Sequence, residues 1–450
     1  MQTAGKTFNP SVNLIKLFLM FIITGALALR FIPGTTVNPI GFIDALFTAT
    51  SAVCVTGLTV KTTGEFFSPL GQVIILLLIQ IGALGYMSLA SLLVILSRRG
   101  MSIKGRIIVQ HQMAGTKKIK LSKFILRVSM LTLVFETVGA LVLSWRMRPM
   151  FSSLAKTVYF GVFHSISAFC NAGFDIFEAG ASLTGLRGDF ISVITVSMLI
   201  IFGGIGYIVI NDFLGYLKSF KTKKRYRFSV HTKIVLTVTS ILLVVGTFVY
   251  YFTEFNNPRT LKNFSLSGKW LMAFFQSVTP RTAGFNMIDT SGLFNFSIIF
   301  TVVLMFIGAS PGGTGGGIKT TTFAVILANM KATIKESRDH VLFKRRMTGN
   351  TIKKSLVIFG LSVFFIVSAI LLITAADSFT IRDVLFEVTS AFGTVGLSTG
   401  ITANLSGFSK LVIVFTMFFG RLGPITIFSA ILVKHKKQAH RYPEQEIAVG

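Results

Sequence analysis

The chain has 450 residues, of which 52% are hydrophobic and only 13% charged, with a mean hydropathy of +0.72; this composition excludes a water-soluble globule and describes an integral membrane protein. The formal charge of +28, from 44 Lys and Arg against 16 Asp and Glu, is what a nucleic-acid binder would carry. Here, however, the basic residues fall in segments that an alternating topology gathers on one face of a bilayer, so nucleic acid is set aside as a partner.

Eight stretches can cross about 30 Å of hydrocarbon at about 20 residues each: 14–32, 71–96, 124–145, 189–212, 234–253, 291–329 (interrupted), 355–376 and 406–433. No small-residue cleavage site follows the first, which reads as a retained helix. Segments 97–123, 213–233 and 330–354 hold eight, seven and eight Lys or Arg, and the tail holds Lys434, Lys436, Lys437 and Arg441. All lie on one side, which the positive-inside rule makes cytoplasmic, with both termini inside a multi-pass protein of the cell membrane. Ten of the sixteen acids (Asp44, Glu65, Asp175, Glu178, Asp189, Glu254, Asp289, Asp377, Asp383 and Glu387) fall on the other side or between paired spans. Loop solubility explains any one of them, but together they concentrate cations.

Between the spans of each pair the same stretch returns: Phe47–Leu58 (FTATSAVCVTGL), Phe163–Phe174 (FHSISAFCNAGF), Phe274–Phe285 (FFQSVTPRTAGF) and Phe386–Leu397 (FEVTSAFGTVGL). Aligned on Gly57, Gly173, Gly284 and Gly396, each has Phe ten residues earlier and Leu or Phe directly after, and three share Ser-Ala at the sixth and fifth positions before. The separations of 116, 111 and 112 residues divide the chain into four modules, 1–110, 111–225, 226–345 and 346–450, each a span, a re-entrant loop and a second span. The expected fold is all-α, with four helix, pore-loop, helix repeats around a pseudo-fourfold pore: eight spanning helices and four half-helices.

In module one the half-helix starts near Gly41, with Asp44 placed to cap it or favour its positive end; Asp383 repeats this in module four. Phe160 and Leu271 hold that place in the other modules, whose caps are not evident. Half-helices entering from outside aim their partially negative C-termini at the midplane. The glycine segment must then climb back with a backbone that is not helical, tolerated only where protein or a water-filled cavity satisfies it. Glycine allows positive φ and leaves carbonyls free to face an ion. Cys54 and Cys170 occupy equivalent places in different modules and are expected to stay unbridged.

Glu136, mid-span in module two, is costly as a carboxylate there and calls for a basic partner or a proton. His164 reads as a hydrogen-bonded structural histidine. In module three, Gly308–Lys319 (GASPGGTGGGIK) must break its helix, since proline costs about 3 kcal/mol and each glycine about 1; next to a cavity, such flexible backbone can move into or out of an ion path. Gly313–Thr320 lacks the glycine and the preceding strand of a phosphate-binding loop, so no nucleotide is assigned to this chain. The second spans share small residues at Ile81–Tyr86, Phe202–Tyr207, Ile307–Pro311 and Phe419–Pro424. Only module four adds a cation, Arg421, about 22 Å into its helix at 1.5 Å per residue: an electrostatic barrier, with a structural ion pair as the alternative.

With these motifs in place the chain resembles the Trk/Ktr/HKT superfamily of potassium transporters over residues 14 to about 433, and is most like a Ktr-type membrane subunit. The resemblance implies that Gly57, Gly173, Gly284 and Gly396 form a selectivity filter for K⁺. Val55, Thr56, Asn171, Ala172, Thr282, Ala283, Thr394 and Val395 would add carbonyls. It implies a gate from Gly308, Gly312, Gly313, Thr314, Gly315, Gly316, Gly317 and Lys319, with Arg421 beside it. It further implies a homodimer on a cytoplasmic ring of RCK-type subunits that bind ATP or ADP, with the three basic segments as docking surfaces or lipid contacts, and Na⁺ as a candidate activator. The second transport reading is Na⁺-coupled K⁺ symport, or Na⁺ transport beside a V-type ATPase. An enzyme is not expected: no H-E-x-x-H is present and His164 is the only deep histidine.

Overall fold

A computed structural model describes residues 10–96, 121–177, 182–222, 226–337, 339–424, 426–428 and 445. Helices dominate, and they come in a fourfold pattern. The first helix of each set is long and apolar enough to cross a membrane unaided: α1 (Pro10–Phe31), α4 (Leu121–Met147), α8 (Val230–Glu254) and α12 (Gly349–Ala376). A third or less of each crossing window is buried against protein. Leu133, Leu141, Phe364 and Leu371 point outward, the solution for a helix whose other solvent is lipid.

The half-helices are α2 (Phe42–Cys54), α5 (Leu154–Phe169), α9 (Leu266–Val278) and α13 (Ile381–Gly393). They are buried where the first helices are exposed: Phe47, Phe163 and Phe386, ten residues before the glycine, are fully buried, and in module three Phe275 takes that role beside half-buried Phe274. The second helices are α3 (Pro69–Leu96), α6 (Phe190–Ile205) with its continuation α7 (Tyr207–Thr222), α10 (Asn295–Phe306) with α11 (Thr320–Ile334), and α14 (Gly407–Leu422). Each packs on the half-helix of the following module: α3 on α5, α6 on α9, α10 on α13, and α14 back on α2. The last contact closes the ring.

Continuous second spans were expected everywhere but in module three, and the structure corrects that. All four are interrupted at the small-residue waist: α3 at Gly85 (φ 60°, ψ 175°), α6/α7 at Gly206 (φ 91°), α10/α11 by the Gly308–Lys319 excursion, and α14 at Gly423 (φ 81°). At Gly206 the axis turns by 101°, so the stretch 189–212 is a span only as far as Ile205. The waist also packs close. A methyl group on Gly82, Gly203 or Gly420 would collide with the carbonyl oxygen of Val53, Phe169 or Phe392, in each case the residue four before the module's motif glycine.

The expected caps also change. Gly41 starts α2 without a side-chain cap; Asp44 sits in the first turn, where it favours the positive helix end, and pairs with Lys410 at 2.8 Å. In α13 the cap is Thr380, accepting from Asp383 N, while the Asp383 carboxylate receives the Thr380 hydroxyl at 2.6 Å. Module three is capped by Ser265, whose oxygen accepts from Gly268 N at 3.2 Å. Segment 330–354 contains a small hairpin, β1 (Val341–Leu342) against β2 (Arg345–Arg346). Segment 97–120, Glu178 and the basic residues of the tail lie outside the described residues.

Asp189 caps α6, accepting from Ser192 N at 3.1 Å, and takes a two-point contact from Arg146 (Nε–Oδ2 2.9 Å, Nη2–Oδ1 2.6 Å). The Arg146 hydrogen bond, aided by Ser192, holds this carboxyl below its ordinary range. A depressed folded-state pKa means stability present above the unfolded value of about 3.9 and lost as pH falls through the folded one. Asp189→Asn is expected to cost about 1 kcal/mol at neutral pH, the usual size of a lost cap. Its thermal unfolding in detergent should change less with pH below about 4 than that of the parent.

Candidate functional site

The four motif glycines meet. A methyl group on Gly57 would lie 3.0 Å from Gly173 Cα and against the Ala172 carbonyl; on Gly173, 3.2 Å from Gly284 Cα and 2.6 Å from the Ala283 oxygen. On Gly284 it would lie 2.9 Å from Gly396 Cα and against the Val395 carbonyl, and on Gly396, 3.0 Å from Gly57 Cα and against the Thr56 carbonyl. The loops thus form a closed cycle in chain order, each glycine occupied on its side-chain face by its neighbour. Glycine is required there by tangential packing as well as by the conformational freedom expected from sequence.

The loops share one backbone form. φ is positive at each glycine (89°, 69°, 74°, 95°) and again two residues earlier, at Val55 (57°), Asn171 (59°), Thr282 (71°) and Thr394 (49°), while Thr56, Ala172, Ala283 and Val395 between them keep negative φ. A left-handed conformation is costly for valine or threonine and persists only where its surroundings enforce it. Alternating handedness turns successive carbonyls toward the same side of a strand. Hydroxyls pin the form: Ser51 Oγ accepts from Gly57 N at 3.0 Å and Ser390 Oγ from Gly396 N at 3.1 Å, while Ser167 and Thr279 donate to the Phe174 and Phe285 carbonyls, both at 2.7 Å. The recurrent serine of the motif is this clamp; in module three Thr279, one residue later, replaces it.

Nine residues before the glycine, two modules place a polar brace. His164 donates through Nδ1 to the Phe160 carbonyl at 2.8 Å and its Nε2 receives Ile176 N at 3.5 Å, a structural role as expected. Glu387 receives Ser398 Oγ at 2.8 Å and the Thr402 hydroxyl, tying down the climbing limb of module four. Buried Glu136 meets Gln80 Nε2 at 3.2 Å and Cys170 Sγ at 3.6 Å, with no basic partner among the described residues. Both cysteines are free and buried. Sequence reasoning missed Arg281, in the place of Cys54 and Cys170: its buried guanidinium donates to Thr239 O and Oγ1, both at 3.3 Å.

Against one end of the ring lies the Gly308–Lys319 excursion. Its stem is closed by Ile318 N to Phe306 O (3.3 Å) and Ala309 N to Gly316 O (3.2 Å). Because α6 stops at Ile205, its last carbonyls lack helical donors. The loop supplies them: Ser310 N to Gly204 O at 3.0 Å and Thr314 N to Gly203 O at 3.1 Å, with Tyr207 N returning a bond to Gly312 O at 3.1 Å. Upward, Thr394 Oγ1 accepts from Gly316 N at 2.7 Å, and the Asn171 amide touches Thr314 Oγ1 (3.1 Å) and Thr282 Oγ1 (3.2 Å) in either amide orientation. Gly315 is held so closely that a methyl group there would overlap Thr282 Oγ1.

Two cations complete the contact. Lys319 Nζ donates to the Gly315 carbonyl at 2.7 Å. Arg421 donates to Thr314 O and to Gly82 O, beside the interruption of α3; it bonds carbonyls rather than a carboxylate, so the ion-pair alternative has no counterpart among the described residues. Every residue expected in the filter or the gate therefore falls in one of two touching structures.

A cycle of four re-entrant loops inside a bundle of membrane-spanning helices defines a membrane transport protein of the pore-loop class. Residues 4–441 match the family described as TrkH, cation transport protein, and the chain belongs to that family. It is 35% identical to the Ktr system potassium uptake protein B of Vibrio alginolyticus over 99% of this chain and 96% of that protein, and 37% identical to the protein of the same name from Bacillus subtilis (98% and 97%). It is 38% identical to the potassium/sodium uptake protein NtpJ of Enterococcus hirae (91% and 90%). The crystal structure of the potassium transporter TrkH from Vibrio parahaemolyticus shares the fold, with a TM-score of 0.74 at 16% identity, covering 96% of this chain and 86% of that one.

Replacing Ser51 or Ser390 by alanine leaves the buried Gly57 N–H or the half-buried Gly396 N–H without its acceptor, a loss of about 1–3 kcal/mol. The midpoint of thermal unfolding in detergent should fall for Ser390→Ala. An unchanged midpoint would remove the clamp.

Proposed function

We propose that the chain is a channel-like potassium uptake subunit of the Ktr type, conducting K⁺ across the cell membrane through the ring of Gly57, Gly173, Gly284 and Gly396. The observation that carries this reading is the closed cycle of loops with paired positive φ values, which frees carbonyls of Val55, Thr56, Asn171, Ala172, Thr282, Ala283, Thr394 and Val395 to replace the hydration shell of a monovalent cation. C-terminal ends of four half-helices add partial negative charge at the same place. K⁺ is the transported ion of choice because all four loops keep glycine, and relatives at 35% and 37% identity are named for potassium uptake.

The Gly308–Lys319 loop is the gate. Its bonds to Gly203 and Gly204 on one side and to Thr394 and Asn171 on the other support a plug beneath the filter, with Arg421 as an added positive barrier. The basic segments support a cytoplasmic location for that end of the pore and for both termini. There a homodimer would sit on an RCK-type ring that binds ATP or ADP, so that nucleotide acts on the plug through a partner. The name of the 38% identical relative, potassium/sodium uptake protein, favours one second reading: Na⁺-coupled K⁺ symport or Na⁺ transport beside a V-type ATPase, with Na⁺ as coupling ion or activator.

Three measurements test these roles. In proteoliposomes, Gly57→Ser should push the loops apart and lower the K⁺ over Na⁺ preference about tenfold, roughly 1.4 kcal/mol of discrimination; an unchanged reversal potential removes the filter assignment. Flux that requires Na⁺ on the same side as K⁺ supports the symport reading instead. Arg421→Ala should raise rubidium uptake in the absence of any partner several-fold, and unaltered uptake in a folded protein leaves the arginine a structural tie.

A further inference from the structure

Among the described residues, α7 is the helix that leaves a span at close to a right angle, turned 101° from α6 at Gly206. If α6 crosses the bilayer, α7 lies along its surface. The first turn of α7 is buried at Val209 and Ile210. Beyond it one face is tied to the protein: Asp212 accepts from the Tyr226 hydroxyl, Ser229 N (3.0 Å) and Thr232 Oγ1 (2.6 Å), while the Tyr216 ring packs 5.0 Å from Phe228. The other face carries Phe213, Leu217 and Phe220, exposed by 47%, 45% and 64%. Spaced i, i+4 and i+7, they form one stripe.

Charge selects the occupant of that stripe. Lys218 is exposed next to it, and the sequence continues with Lys221, Lys223, Lys224, Arg225 and Arg227. Large apolar residues on one face of an in-plane helix, flanked by lysine and arginine, match an anionic leaflet. The same helix begins at the gate. Tyr207 N bonds Gly312 O, Ile208 packs 3.7 Å from where a Gly312 side chain would begin, and a methyl group on Gly206 would lie 2.6 Å from the Pro311 carbonyl.

We propose that α7 is an interfacial helix whose Phe213, Leu217 and Phe220 rest in the anionic cytoplasmic leaflet, and that this lipid contact holds the Gly206 bend against the gating loop. The gating half rests on the function proposed above; the lipid half requires only the fold. Phe213→Cys, Leu217→Cys, Phe220→Cys and, as a water-exposed control, Ser337→Cys would each be labelled with bimane; the native Cys54 and Cys170 are buried.

In vesicles of phosphatidylethanolamine and phosphatidylglycerol with brominated acyl chains, the α7 labels should be quenched at least about twofold more than the control, at a depth of about 5–10 Å. Quenching equal to the control, as would follow if a second copy or a protein partner covered the stripe, overturns the lipid contact. The triple variant Phe213→Ser, Leu217→Ser, Phe220→Ser should raise partner-free rubidium uptake about threefold, within the usual range of coupling between packed elements. Parental uptake together with normal quenching of the single-cysteine proteins overturns the link to the gate. A parent chain that takes up no rubidium under any condition counts against the proposed function and leaves the quenching result to stand by itself.

Discussion

Everything at the centre of this protein depends on backbone groups that no helix can satisfy. A membrane interior has no water to repair an open N–H or C=O, each worth several kcal/mol, yet here four loops and four helix breaks converge. The accounts close pairwise. Carbonyls left over where α6 ends at Ile205 take the amides of Ser310 and Thr314, and Gly82, beside the break of α3, takes the Arg421 guanidinium. Serine and threonine hydroxyls clamp the loops themselves. The ring and the Gly308–Lys319 excursion are therefore one hydrogen-bonded object, in which the partners that hold the excursion include the ends of interrupted helices.

This coupling gives the interruption of the second helices a purpose beyond flexibility. A continuous α6 would bond Gly203 and Gly204 internally and offer the excursion nothing to dock on. The positive φ of Gly206 ends the helix where those acceptors are needed, and it also releases α7 from the direction of the span. Any movement of the excursion must then exchange bonds at Gly203, Gly204, Thr394, Asn171 and Arg421 for others or for water, so its positions should be discrete rather than graded.

Much of this was legible in the residues. The fourfold return of the glycine motif, the apolar flanks and the Gly-Pro density of Gly308–Lys319 are each strong signals, because they repeat or because their helix cost is several kcal/mol. The breaks at Gly85, Gly206 and Gly423 were hidden, since an isolated glycine in an apolar helix costs about 1 kcal/mol and is ordinarily tolerated. Asp44 looked like a cap because it sits at a helix start; that its partner is Lys410, 366 residues away, is a tertiary fact. The serine six before the glycine was visible as a pattern while its bond was not. Arg281 went unremarked because one arginine in an amphipathic stretch carries no periodicity, and only its burial against Thr239 marks it.

Writing all four quadrants into one polypeptide also lifts a restriction that identical subunits would impose. Four copies of one gene product would bring four glycine-rich excursions to the same end of the ring. Among the described residues the third quadrant alone carries such an excursion, the second and fourth offer docking atoms, and the first is reached through Arg421. Division of labour among sister segments, impossible under strict rotational identity, follows from the fusion itself.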